Sequence, residues 1–163
     1  MKTNARRVIR LVGVTVAAAG LLLAVNAVPG AATPPSPPPS FMNQLLGRGT
    51  YMSHGTLPLE QGSDIVVAKI TVAPGGSSGW HSHPGRAIVV VQSGEVTLYT
   101  SVGNHCDVTV YAQGQSFVER PGEVNQAVNA GSVPYVLFVT FPGVPVGGSA
   151  RIDQPNPGTC PGV

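Results

Sequence analysis

The stretch GWHSHPG, residues 79–85, sets two of the chain's four histidines one residue apart. Along an extended strand, side chains at i and i+2 leave the same face, so His81 and His83 are expected to aim two imidazoles at one point. Neutral imidazole ligates divalent first-row metals, and the pair points to one divalent ion: Zn, Mn, Fe or Ni. Two imidazoles alone hold such an ion weakly, because catalytic metal sites generally offer at least three protein ligands. A dication in an enclosed space also needs a negative charge beside it.

The other groups able to help are scattered. His54 precedes the strand-rich region and His105 adjoins Cys106 on an expected loop, so both read as exposed histidines. Glu119 and Glu123 stand on either side of Arg120-Pro121-Gly122; they could swing in as ligands, but read first as solvated turn carboxylates. Cys106 and Cys160 are the only cysteines. An even count in an exported chain predicts a Cys106–Cys160 disulfide, worth roughly 4 kcal/mol on the chain-entropy model, against the alternative of two buried thiols.

These groups must be positioned by strands. SDIVVAKITVAP (63–74), RAIVVVQSGEVTLYT (86–100), DVTVYA (107–112) and PYVLFVTF (134–141) are rich in Val, Ile, Thr and aromatics. Turn sequences such as PGGSSG, SVGN, AQGQ and NAGS separate them. No stretch past the N-terminal region carries a helical period, so the fold class is all-β, and closure into a barrel removes exposed strand edges. In EVTLYT, Val96, Leu98 and Thr100 alternate with Thr97 and Tyr99, and one set faces the interior. Trp80, Phe117, Tyr135 and Phe138 are candidates to fill it.

The N-terminal region is of another kind. MKTNARRVIR is basic, and the apolar run Leu11 to Val25 follows it. Together with small residues at the exit, this predicts an export signal over residues 1–27, or to 32 if cleavage uses the later site; an uncleaved anchor is the rival reading. Six prolines between Pro29 and Pro39 then predict an extended spacer over 28–47, able to hold a domain of residues 48–163 near the cell envelope. The chain carries a formal charge of +2, but four basic residues belong to the signal, and the remainder has five basic against seven acidic residues. That balance excludes a phosphate-neutralising patch and, with it, nucleic-acid binding.

Two spaced patterns complete the reading. Gly75, His81, His83 and Gly94 fall on one; Gly114, Gly122 and Asn129 fall on a second, in which Arg120 replaces a proline and Asn125 fills a histidine slot. In these residues the chain resembles the cupins, small β-barrels of jelly-roll type, over about residues 63–141, and looks most like small exported bacterial members. Metal-binding cupins use three histidines and one glutamate. By that resemblance His81 and His83 survive, the glutamate slot is Ala87, and Asn125 offers at best a weak amide oxygen. The resemblance also implies pairing of copies through sheet edges. Arg86, one residue before the vacated slot, is placed to meet a carboxylate or phosphate of a ligand, with a surface ion pair as its plainer role. No motif residue is set inside the barrel as a general acid or base. The expected function is therefore an exported barrel that binds a small molecule and holds a weak metal. A metal-dependent oxygenase or isomerase comes second, and a structural module third.

Overall fold

The computed structural model describes residues 30–50 and 59–163. The expected signal at 1–27 and His54 lie outside the described residues. Among the described residues there are ten strands and no helix. One sheet has the order β1-β2-β9-β4-β7: β1 is Phe41–Thr50, β2 Asp64–Val72, β9 Tyr135–Val144, β4 Ala87–Ser93 and β7 Ser116–Glu119. The other has the order β10-β3-β8-β5-β6: β10 is Ile152–Asp153, β3 His81–Ser82, β8 Val124–Val128, β5 Glu95–Val102 and β6 His105–Ala112. Every pairing is antiparallel.

Period-two burial turns these sequences into walls. In β4, Ala87, Val89 and Val91 are buried while Ile88 and Val90 face solvent. Across the ladder, β9 buries Leu137, Val139 and Phe141, and β2 buries Val66, Ala68 and Val72. From the second sheet, Val96 and Leu98 of β5 and Ala127 of β8 complete the core. Each such valine, leucine or phenylalanine contributes about 1.5–3 kcal/mol on full burial. Of the expected core aromatics, Trp80, Phe117 and Tyr135 are buried. Phe138 is not, because it stands between Leu137 and Val139 and therefore on the outer face, 38 % exposed.

The spacer expected over 28–47 is corrected by the structure. From residue 30 onward the segment packs on the barrel: Thr33 N–H donates to the Gln154 carbonyl (2.9 Å), and Ser36 N–H to the Ser77 carbonyl (2.9 Å). Thr33 Oγ1 and Ser36 Oγ accept from the backbone N–H groups of Trp80 and Ser77, each at 2.8 Å. Prolines cannot donate, but the Thr and Ser between them tie the segment down. Then β1 runs the length of β2, so a boundary at residue 48 would cut through a strand. Nearly all of β1 is exposed, so it carries no alternation that a sequence reading can find.

The C-terminal segment is likewise part of the fold. β10 pairs with β3, Ile152 opposite Ser82 and Asp153 opposite His81. The Cys106–Cys160 disulfide forms, with a Cα–Cα separation of 5.0 Å, and fastens this tail to the start of β6. The tail thus lies along the strand that carries the histidines.

Candidate metal centre

Gly79 opens the turn into β3 with φ +64, and a Cβ there would collide with the Thr33 and Pro34 carbonyls. Only glycine fits both constraints. It hands the chain to β3 with Trp80 and Ser82 facing one way and His81 and His83 the other. Both histidines are buried. His81 Nδ1 lies 3.0 Å from the Gly79 carbonyl, and His83 Nδ1 lies 2.6 Å from the Ala150 carbonyl. A carbonyl only accepts, so each Nδ1 carries the proton and each Nε2 is left to face the interior.

The third group at this point is Glu119. Its Oε2 stands 2.7 Å from His83 Nε2 and 3.9 Å from His81 Nε2. The sequence reading of Glu119 as a solvated turn carboxylate is overturned: the residue is 4 % exposed. β7 alternates, with Phe117 and Glu119 inward and Ser116 and Val118 outward. The ladder then explains where the missing anion went. Ala87 pairs directly with Glu119, and directly opposed residues of an antiparallel pair share a face. The carboxylate expected at 87 arrives from the neighbouring strand, and the small Ala87 leaves it room. The alternation of Phe117 with Glu119 is the signal that identifies it from sequence.

The electrostatics follow from this crowding. Burial lowers the His81 pKa to about 4, with the Arg151 and His83 charges adding to it and Glu119 opposing. Burial works to raise the Glu119 carboxyl, but the His83 hydrogen bond and the charges of His81, His83 and Arg151 together hold it below its ordinary value. Tyr135 is pushed up by burial and by Glu119. His83, Glu119 and His81 thus form one coupled group. Burying such groups costs more than apolar side chains of the same size, so their retention marks a site rather than a stabilising device.

Asn125 and Arg86 do not join them. Asn125 is fully buried opposite His81 in the β3–β8 ladder. Its Oδ1 accepts from Thr100 Oγ1 at 2.6 Å and its Nδ2 donates to the Glu123 carbonyl at 3.3 Å. The amide ties β8 to β5 and to the turn before β8, and does not line the cavity beside the histidines. Arg86 precedes inward-facing Ala87 and so leaves the opposite face, lining a surface cleft of about 570 Å³ with Glu60, Pro84 and Pro121. Glu123 closes its own turn on Arg120 N–H, and His105 pairs with Asp107 at the exposed end of β6.

The donor set fits a divalent metal. Two imidazoles with their Nδ1 atoms held by carbonyls, and one carboxylate, offer ligand atoms all within 4.8 Å of one another. This is the oriented arrangement that metal-ligating histidines require. Beside the triad lies a cavity of about 50 Å³, walled by Ala87, Val89, Leu137 and Val139, with Ser78, Tyr135 and Arg151 also on its lining.

Two packed five-stranded sheets enclosing such a cavity define a double-stranded β-helix barrel. The chain superposes on a conserved protein with a double-stranded β-helix domain from Klebsiella pneumoniae with a TM-score of 0.53 at 21 % identity, covering 74 % of this chain and 90 % of that one. It superposes on Bacillus subtilis oxalate decarboxylase with a TM-score of 0.50 at 22 % identity, covering 55 % of this chain and 24 % of that one. The cupin domain family matches residues 68–141. The matched region, a little under half of the chain, is similar to a cupin domain. It is 33 % identical to germin-like protein 1 of Brassica napus over 86 residues, and spans 42 % of that protein's length.

Proposed function

We propose that the protein is an exported cupin that holds one divalent metal ion on His81, His83 and Glu119 and takes a small molecule into the barrel beside it. The observation that carries this reading is the convergence of two Nε2 atoms on one buried carboxylate. In the sequence the site reads as a weak two-histidine remnant; with Glu119 it has three protein ligands, one of them anionic. Export rests on the reading of residues 1–27.

Each residue has a stated task. The Gly79 and Ala150 carbonyls fix the histidine tautomers. Glu119 neutralises one charge of the ion, its Oε2 standing 2.7 Å from His83 Nε2. The aliphatic wall of β4 and β9 keeps water out and raises the strength of every polar contact inside. A bound Zn, Mn, Fe or Ni ion supplies Lewis-acid polarisation of a ligand oxygen. Mn is the first metal to test, since Bacillus subtilis oxalate decarboxylase carries Mn(II) centres.

A metal-dependent enzyme is the second reading. It is favoured by the ligand count, because three protein ligands leave coordination positions open for a substrate. Elemental analysis of protein purified from its own export compartment tests the first part. One Mn, Fe, Ni or Zn per chain supports the metal site; metal-free protein that binds none on titration refutes it.

A further inference from the structure

We infer that the outer face of the β1-β2-β9-β4-β7 sheet binds a single-chain carboxylate amphiphile, its carboxylate on Arg86 in the surface cleft and its hydrocarbon chain along Ile88 and Val90. The site is separate from the metal centre, because Ala87 lines the inner cavity while its neighbour Arg86 lines the outer cleft.

The outer face is unusually apolar. An antiparallel sheet that meets water on one side ordinarily sets polar residues outward. Here Ile88, Val90, Val118 and Phe138 are 45, 44, 52 and 38 % exposed. The ladders make them neighbours: Ile88 pairs with Val118 of β7 and Thr140 of β9, and Val90 pairs with Phe138. Residues i and i+2 of a strand share a face about 7 Å apart, so Arg86, Ile88 and Val90 form a row about 14 Å long. A cation stands at one end of the row and carbon follows it. A contiguous apolar patch of this kind marks an interaction surface.

At the cationic end the row enters the cleft of about 570 Å³, inside the range of about 300–1,000 Å³ common to small-molecule sites. The cleft is preformed. Pro84, Pro121 and Pro142 line it, each followed by a glycine, and the prolines fix their own backbone. A Cβ at Gly85 would collide with the Pro142 carbonyl, so two of these turns touch. Gly122 N–H donates to the His83 carbonyl at 3.0 Å and ties the third to them. Ile65 and Ile88 add apolar surface. Arg48 and Arg151 are held by Asp64 and Asp153, whereas Arg86 is exposed and has no hydrogen-bond or ion-pair partner among the described residues.

Charge then selects the occupant. The only acids on the strands of this sheet, Asp64 and Glu119, are buried. Lys69, which pairs with Phe138, and Arg86 therefore face outward without a counter-charge from the sheet. A second copy laid on this face about a two-fold axis would bring the same two cations and no acid. A ligand with its own carboxylate supplies the missing charge, and the guanidinium fork matches it in shape. Glu60 also lines the cleft and repels a second negative charge, which favours a carboxylate over a phosphate dianion.

Calorimetric titration of the full-length protein with octanoate, octanol, acetate and octyl phosphate tests this. Octanoate should bind at least about tenfold tighter than octanol or acetate, because only octanoate meets both ends of the row. Octyl phosphate should bind no tighter than octanoate. Arg86→Gln should weaken octanoate about tenfold or more and leave octanol unchanged. Val90→Ser should weaken octanoate and octanol alike, severalfold; should it fail to fold, Ile88→Thr takes its place. Equal binding of octanoate and octanol, tighter binding of octyl phosphate, or undiminished octanoate affinity in Arg86→Gln overturns the inference. A dimer in sedimentation that Val90→Ser disperses, without octanoate binding, gives the face to a second copy and overturns it. Co-sedimentation with phosphatidylglycerol vesicles, without binding of monomeric octanoate, gives the face to a membrane and overturns it too.

Discussion

The cavity has two unlike walls. One is made by the inner faces of β4, β9 and β2, where Ala87, Val89, Leu137, Val139 and Ile70 interlock as aliphatic side chains. The other is made by β3, the end of β7 and the C-terminal segment, where His81, His83, Glu119 and Arg151 meet. The first wall stabilises by burying surface and needs only complementary shape. The second cannot stabilise in that way. Its groups are held by one another and by backbone carbonyls from Gly79 and Ala150, so its order depends on segments at the margin of the barrel. Stability should reside in the first wall and metal affinity in the second, and substitutions can pull the two apart.

The largest effect is expected where the second wall is fastened. Replacing Cys106 and Cys160 by serine opens a loop of 54 residues, worth about 4 kcal/mol on the chain-entropy model. The same change frees the tail that supplies the Ala150 carbonyl, so denaturant unfolding and Mn(II) titration should both register it. Undiminished metal affinity in the folded serine variant would show that the tail does not order His83.

On the aliphatic wall, Leu137→Ala should cost about 3 kcal/mol in denaturant unfolding, through lost burial and the cavity left behind. Metal affinity of the folded fraction should stay within about twofold of the parent, as expected for sites with no shared partners. A parallel collapse of metal binding would mean that the walls are not separable.

Glu119→Gln should do the reverse. It keeps the shape of the side chain, removes the anionic ligand, and should weaken Mn(II) or Zn(II) at least about a hundredfold on titration. Thermal stability without metal should change little or rise, since a buried charge is removed. A variant that binds metal as tightly as the parent would return Glu119 to a structural role.

The smallest effect is pH-dependent. An unfolded histidine takes up a proton near pH 6.5, whereas the folded His81 waits until about 4. Between those values the unfolded chain binds more protons, so metal-free stability should fall as pH drops through that window. His81→Phe should flatten this part of the stability profile. An unaltered profile in that variant would place the proton uptake elsewhere.

The sequence shows the first wall better than the second, for a physical reason. Strand alternation is local, so the inward set of β4 and of β5 can be read from valines and leucines alone, and the His-x-His pair shares a face by the same rule. Glu119 depends on a cross-strand neighbour. Only the β4–β7 register puts it beside Ala87, and a glutamate next to a Pro-Gly turn looks solvated until Phe117 is seen to fix its face. Asn125 shows the converse: its slot is read correctly opposite His81, but its amide is taken up by Thr100 and the Glu123 carbonyl. The Pro-rich segment misleads for a third reason. Its composition describes its conformation, extended, but not its partners, Gln154, Ser77 and Trp80.

One divalent ion is expected to sit among His81 Nε2, His83 Nε2 and a Glu119 oxygen. X-ray absorption on the Zn(II)-loaded full-length protein tests it directly. The expected result is one zinc per chain with two imidazole nitrogens at about 2.0–2.1 Å and a carboxylate oxygen at about 2.0–2.2 Å, and loss of the oxygen contribution from the carboxylate in Glu119→Gln. A spectrum with a single imidazole, or one unchanged by Glu119→Gln, would contradict it.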